Sequence, residues 1–144
     1  MTRGRPLRPD VQTKFHIDLA WWERRGRDFR LYLQGSLCPD CQKEYANADE
    51  VREMDWVDPE TAEVRRLDEL WVRLLSCCSL QADYITPATP LTTAIFRALL
   101  ASGNRPLSPL ELHERIGKSN PQTILRVLTG KTTHYGIVPA GGQR

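Results

Sequence analysis

Apolar residues recur every three or four positions in the last third of the chain, which is the spacing of one helix face. Leu91, Ile95 and Leu99 form the first such stripe, and Gly103 follows it, as glycine commonly does after the end of a helix. The stripe therefore predicts a helix that begins near residue 91 and ends before residue 103.

Start signals then mark two more helices. Residues 108–111, Ser-Pro-Leu-Glu, combine an N-cap, a first-turn proline and the glutamate of a capping box. Residues 120–121, Asn-Pro, open the next apolar stripe in a similar way. We predict helices over 109–116 and 120–129, and a short β segment over 135–139.

Apolar residues are also dense between residues 15 and 37. Their spacing fits a helix face interrupted at Gly26, although both ends of the segment also suit the alternation of a strand. We predict two helical pieces hinged near Gly26, followed by a tight turn at Cys38-Pro39-Asp40-Cys41. The acidic, weakly periodic residues 42–55 are expected to form a surface connection.

The middle of the chain mixes strand and helix signals. Residues 56–64 place Asp-Pro between valines, which predicts a β-hairpin. The alternative is a helix that Asp58 caps, with Pro59 in its first turn. Asp68 is expected to cap a further helix whose apolar stripe runs through Cys78.

These elements predict a mainly α protein with small β elements, an α+β fold. Its N-terminal part is expected to be a helical and hairpin module that binds a metal. We divide the chain into a flexible basic arm (1–14), a cysteine-containing module (15–82), a linker (83–89), a helical module (90–140) and a tail (141–144).

The helical module resembles the winged helix-turn-helix fold over about residues 89–140, on the evidence of three short helices followed by a β segment. The resemblance implies that the helix at 120–129 presents side chains to base edges while nearby basic residues hold phosphates. The residues that it implies for nucleic-acid contact are Lys118, Ser119, Gln122, Thr123, Arg126, Lys131 and His134.

The charge pattern changes this picture because the overall charge of +2 on 144 residues hides three unequal segments. The net charge is +4 in residues 1–30, −7 in residues 31–83 and +5 in residues 84–144. A basic C-terminal module is able to meet a polyanion such as DNA. The alternative is a protein adaptor, because winged helices also serve as interaction modules and a solvated helix face carries Arg, Lys and Gln for solubility.

Four cysteines supply the candidate chemistry. Cys38 and Cys41 are separated by two residues, a spacing that lets both thiolates bind one tetrahedral ion. Cys77 and Cys78 would complete the set if their helix folded back, but adjacent helical residues diverge by about 100°. Both could therefore bind one ion only if the helix frays there; otherwise one of them is expected to be a core residue. We expect zinc at Cys38, Cys41, Cys77 and Cys78, with an iron-sulfur cluster as the alternative and His16 as a further candidate donor.

A third interpretation is a thiol redox protein. Cys-Pro-Asp-Cys at residues 38–41 resembles the Cys-Pro-x-Cys active site of glutaredoxins and thioredoxins. Those families place the motif after a first β-strand and before a long helix. Acidic sequence without a clear helical pattern follows Cys41 in this chain, which departs from that arrangement.

The length excludes most large enzyme folds, since a (β/α)8 barrel needs about 250 residues. No run approaches the roughly 20 apolar residues that cross a bilayer, and the first residues have no apolar core of a secretory signal. We expect a cytoplasmic protein that acts by binding rather than by catalysis, as a DNA-binding or transcription-associated regulator.

Overall fold

A computed structural model describes residues 8–46 and 52–141 as a mixture of short helices and two small antiparallel sheets, which confirms the α+β class. The helices are α1 (Leu19–Arg24), α2 (Phe29–Gly35), α3 (Pro39–Glu44), α4 (Glu69–Ser76), α5 (Leu91–Ala101), α6 (Pro109–Ile116) and α7 (Pro121–Leu128). The strands are β1 (Phe15–Ile17), β2 (Glu53–Val57), β3 (Val64–Asp68) and β4 (Ile137–Pro139).

The hinge near Gly26 is confirmed, because this glycine lies between α1 and α2 with a φ of +65°. Aspartates cap both helices: Asp18 accepts from the N–H of Ala20, and Asp28 accepts from two N–H groups at the start of α2. Such capping satisfies donors that a helix cannot use internally. The strand alternation at the start of this segment corresponds to β1.

The predicted hairpin is confirmed and is longer than expected. Strand β2 pairs with β3 from Glu53 opposite Asp68 to Val57 opposite Val64. The surface connection expected over 42–55 is therefore wrong at both ends, because α3 continues to residue 44 and β2 begins at residue 53. Pairing with β3 supplies the order that the acidic sequence did not indicate on its own.

Asp68 caps α4 as predicted, and its carboxylate accepts the N–H of Leu70 at 2.9 Å. The helix does not run through Cys78. It ends at Ser76, Cys77 leaves the helical conformation with φ −135°, and a 3-10 turn follows over Cys78–Leu80.

The start signals of the C-terminal helices are confirmed. Ser108 and Glu111 form both bonds of the capping box at α6, and Gly117 ends that helix with a φ of +79°. Asn120 caps α7 by accepting the N–H of Thr123. The β segment is confirmed as β4, but its partner is the distant strand β1.

One apolar core receives side chains from both halves of the chain, including Phe15, Trp22, Leu74 and Leu99. Trp71 of α4 also donates its indole N–H to a carbonyl at the end of α5, at 2.9 Å. The division at residues 83–89 stays a prediction. Residues 1–7 of the expected arm and 142–144 of the tail lie outside the described residues.

Candidate metal centre

The four cysteine sulfurs converge at one place in the fold. The Sγ atoms of Cys38, Cys41, Cys77 and Cys78 all lie within 4.8 Å of one another, and all four residues are free thiols. Cys41 and Cys78 are buried, whereas Cys38 and Cys77 are half-buried. The four cysteines predicted as metal ligands therefore lie side by side, including both residues of the adjacent pair 77–78.

The first pair is positioned by the start of α3. Cys38 is the N-cap residue, Pro39 occupies the first helical position, and Cys41 follows within the same turn. The expected tight turn with a thiol on each side is thus corrected to a helix start. Proline favours that start because its fixed φ suits the helix and its missing N–H is not needed there. Both thiols consequently lie beside one end of α3.

The second pair is positioned by the end of α4. In a continuous helix, Cys77 and Cys78 would point about 100° apart. The chain leaves the helix at Cys77 and enters a 3-10 turn at Cys78, which lets both thiols reach the same centre. The helix break thus removes the geometric objection that the sequence raised against this pair.

The sulfur separations match ligands that share one ion. Four thiolates held about 2.3 Å from a tetrahedral zinc lie about 3.8 Å from each other, by simple geometry. The Sγ atoms of Cys41 and Cys77 are 3.8 Å apart. A disulfide would require about 2.0 Å, and a multi-iron cluster, whose thiolates bind different irons, would hold its ligands farther apart. The arrangement is compact enough for a single tetrahedral metal ion.

The thiols differ in acidity because their surroundings differ. The backbone N–H of Cys41 donates to the Cys38 sulfur and lowers the pKa of Cys38 to about 7. Burial raises the pKa of Cys41 and of Cys78 above the usual thiol value. A bound cation would offset this cost, since metals bind the deprotonated thiolate.

His16, the further candidate donor, lies in β1 and is not part of the sulfur cluster. The cluster instead borders a cavity of about 230 Å³ that Tyr84 and Arg97 also line. These two residues bind each other's backbone: Tyr84 donates its hydroxyl to the Arg97 carbonyl at 2.7 Å, and Arg97 donates to the Tyr84 carbonyl at 2.8 Å. The cysteine cluster and α5 therefore border the same cavity.

Three of the residues predicted to contact nucleic acid are exposed on or just after α7. Gln122 and Arg126 lie on the helix, and Lys131 follows it. None of the three side chains has a hydrogen-bond or ion-pair partner among the described residues. They remain free to meet a ligand.

The other four predicted contacts are half-buried. The Lys118 amine donates to two carbonyls of the 86–89 turn, and the Ser119 carbonyl bonds a histidine ring of α6. The backbone N–H of Thr123 donates to the N-cap side chain of α7, and the His134 carbonyl accepts an N–H of β4. Lys118 thus fastens a loop in this structure.

Sequence reasoning did not single out Arg25 and Arg27, which lie across a cleft from residues 131–135. The sequence does show four arginines within residues 24–30. Two of them reach this cleft because the end of α1 lies beside the connection between α7 and β4.

No protein family, curated protein or solved structure was found to match this chain. Within residues 8–46 and 52–141, no helix combines the length and the apolar character needed to cross a membrane.

Proposed function

We propose that Cys38, Cys41, Cys77 and Cys78 bind one zinc ion, which fastens α3 to the end of α4. The observation that carries this proposal is the convergence of four free thiols within 4.8 Å. Four thiolates in a tetrahedral arrangement favour zinc, and a set without an open position is typical of a structural site.

We further propose that the protein is a DNA-binding, transcription-associated regulator. The support is the net charge of +5 in residues 84–144, together with the free side chains of Gln122, Arg126 and Lys131. Glutamine and arginine read base edges in the major groove, whereas lysine mainly holds phosphate. The intramolecular bonds of Lys118 give that residue a structural role in this proposal.

Metal analysis of protein purified without oxygen tests the zinc site. We expect one zinc per chain in the wild type and its loss in Cys41→Ser. The control is Ser76→Ala, which alters an exposed residue beside the cluster and should retain zinc. Iron in place of zinc, or a metal-free protein with disulfide reductase activity that depends on Cys38, would overturn the proposal.

Fluorescence anisotropy with duplex DNA over a range of salt concentrations tests the second proposal. Binding should weaken steeply with salt, and the slope of log K against log [salt] should fall by about 0.9 for each phosphate contact removed. We expect Arg126→Ala with Lys131→Ala to flatten that slope. Absence of binding at low salt, or binding that salt does not affect, would exclude DNA as the partner and favour the protein-adaptor alternative.

A further inference from the structure

A polar cleft of about 430 Å³ separates the end of α1 from the connection between α7 and β4. Its lining is rich in cationic and hydroxyl groups and contains no carboxylate among the described residues. The lining residues are Trp21, Arg25, Arg27, Lys131, Thr132, Thr133, His134 and Tyr135.

Two arginines on one wall are held by the indole ring of Trp21. The guanidinium carbons of Arg25 and Arg27 lie 5.3 and 5.6 Å from the centre of that ring, within the range of a cation–π interaction. Both arginines are exposed, and neither guanidinium pairs with an acid among the described residues. Because Trp21 itself is only 8% exposed, its face serves to hold the arginines and not to stack on a base.

The opposite wall is anchored at α1 by two hydrogen bonds that its backbone carbonyls accept. The Asp18 N–H donates to the Gly136 carbonyl at 2.8 Å, and the Trp22 indole N–H donates to the Tyr135 carbonyl at 3.1 Å. Gly136 has a φ of +70°, and a Cβ there would lie 3.0 Å from the rings of both Trp21 and Trp22. The close approach that glycine permits holds the backbone of residues 135–136 against Trp21 and Trp22.

We propose that this cleft binds a phosphate group, with Arg25 and Arg27 on one side and Lys131 with the two threonine hydroxyls on the other. Arginine presents a planar fork of donors that matches phosphate oxygens, and charge-assisted bonds of this kind are among the strongest available. Two guanidiniums that are already ordered over a ring lose less conformational freedom on binding than free side chains would.

The phosphate source is a nucleic-acid backbone, and this part of the inference rests on the proposed DNA-binding function. Lys131 belongs both to the cleft and to the segment that follows the candidate reading helix α7. The cleft thus supplies a backbone contact that positions the protein on DNA without reading sequence. A free phosphate ester offers the same chemistry, so the experiment includes a separate arm for it.

The first arm measures the salt dependence of duplex DNA binding for the double variant Arg25→Gln with Arg27→Gln. The matched control is Arg24→Gln, which is the last residue of α1, next to Arg25; it pairs with Asp18 at 3.5 Å and does not line the cleft. Because the cleft holds one phosphate group, we expect the slope of log K against log [salt] to fall by about 0.9 in the double variant and to change little in the control. An unchanged slope in the double variant would overturn a role for the cleft in DNA binding.

The second arm titrates the wild type with pyrophosphate and follows the Trp21 indole N–H and the Thr132 and Thr133 amide signals by NMR. We expect saturable shifts at these groups in the wild type and none in the double variant. If pyrophosphate shifts them while the wild type does not bind DNA, the phosphate site stands and the DNA-binding function fails. If the double substitution changes neither the shifts caused by pyrophosphate nor the salt dependence of DNA binding, the site itself is refuted. Unchanged thermal unfolding of the double variant excludes loss of fold as the cause of either result.

Discussion

Removal of the proposed zinc ion should destabilise the protein by an amount that the positions of the cysteines determine. To bind one ion with four thiolates, an unfolded chain must first bring Cys41 and Cys77 together across 36 residues. The loop-closure relation used for cross-links gives about 4 kcal/mol for a loop of this length. In the folded chain this loop is already closed, because all four sulfurs lie within 4.8 Å of one another.

Zinc in excess should therefore favour the folded state over the unfolded state by at least about 4 kcal/mol, a large part of a typical stability of 5–15 kcal/mol. For a protein of this size, each kcal/mol changes the unfolding midpoint by roughly 2–4 °C, which predicts a loss of about 8–16 °C. The energy arises from geometry, so a cation that accepts four thiolates tetrahedrally should restore most of it.

Thermal unfolding followed by circular dichroism, with and without a zinc chelator under reducing conditions, measures this effect. The protein treated with chelator should unfold at a lower temperature, and its midpoint should return to the original value when zinc is added back. Cys41→Ser should have the lower midpoint temperature whether or not zinc is present, while Ser76→Ala should behave as the wild type. An unchanged midpoint after complete removal of zinc would refute the reasoning, because the cysteines would then contribute no closure of this loop.

Three further experiments test contacts elsewhere in the fold. Gly136→Ala should unfold at a lower urea concentration than Gly26→Ala. Both positions have a positive φ, which costs alanine about 1–2 kcal/mol, but only at Gly136 would a Cβ meet the two tryptophans. Equal losses would show that the close packing is unimportant. The pKa of Asp58 is lowered mainly by a backbone N–H and also by a bond from Arg105, so its stabilisation is present above pH about 4 and is lost as the pH falls below it. Urea titrations should accordingly show Asp58→Asn losing stability at pH 7, with a smaller difference from wild type near pH 3; a constant difference would contradict this. Lys118→Gln should lower the thermal midpoint and leave the salt dependence of DNA binding unchanged, and a flattened slope would instead assign its amine to phosphate.

Local signals predicted the helices well where several of them coincided. At α6, the capping-box residues, the first-turn proline and Gly117 all indicate the same boundaries, and the structure has them. The segment after Cys41 carried no such agreement. Residues 53–57 form β2 by pairing with β3, which is a contact that a local pattern does not contain.

The candidate metal site was predicted in composition but not in geometry. The spacing of Cys38 and Cys41 indicated half of a site, whereas Cys77 and Cys78 could share one ion only if their helix frayed beside them. Their convergence depends on the end of α4 at Ser76, where the apolar stripe gave no sign of a break. The cleft was not predicted, because its two walls are far apart in the sequence.

The pairing of β1 with β4 also constrains the order in which the protein folds. Phe15 lies opposite Pro139, so this sheet joins residues more than a hundred positions apart. Contacts of such long sequence separation form slowly, because a large loop must close before they contribute. During synthesis, β1 is complete more than a hundred residues before β4, so this pairing forms only after the segment between them has been made. The cleft between α1 and residues 131–135 likewise requires two segments that are about a hundred residues apart in the sequence.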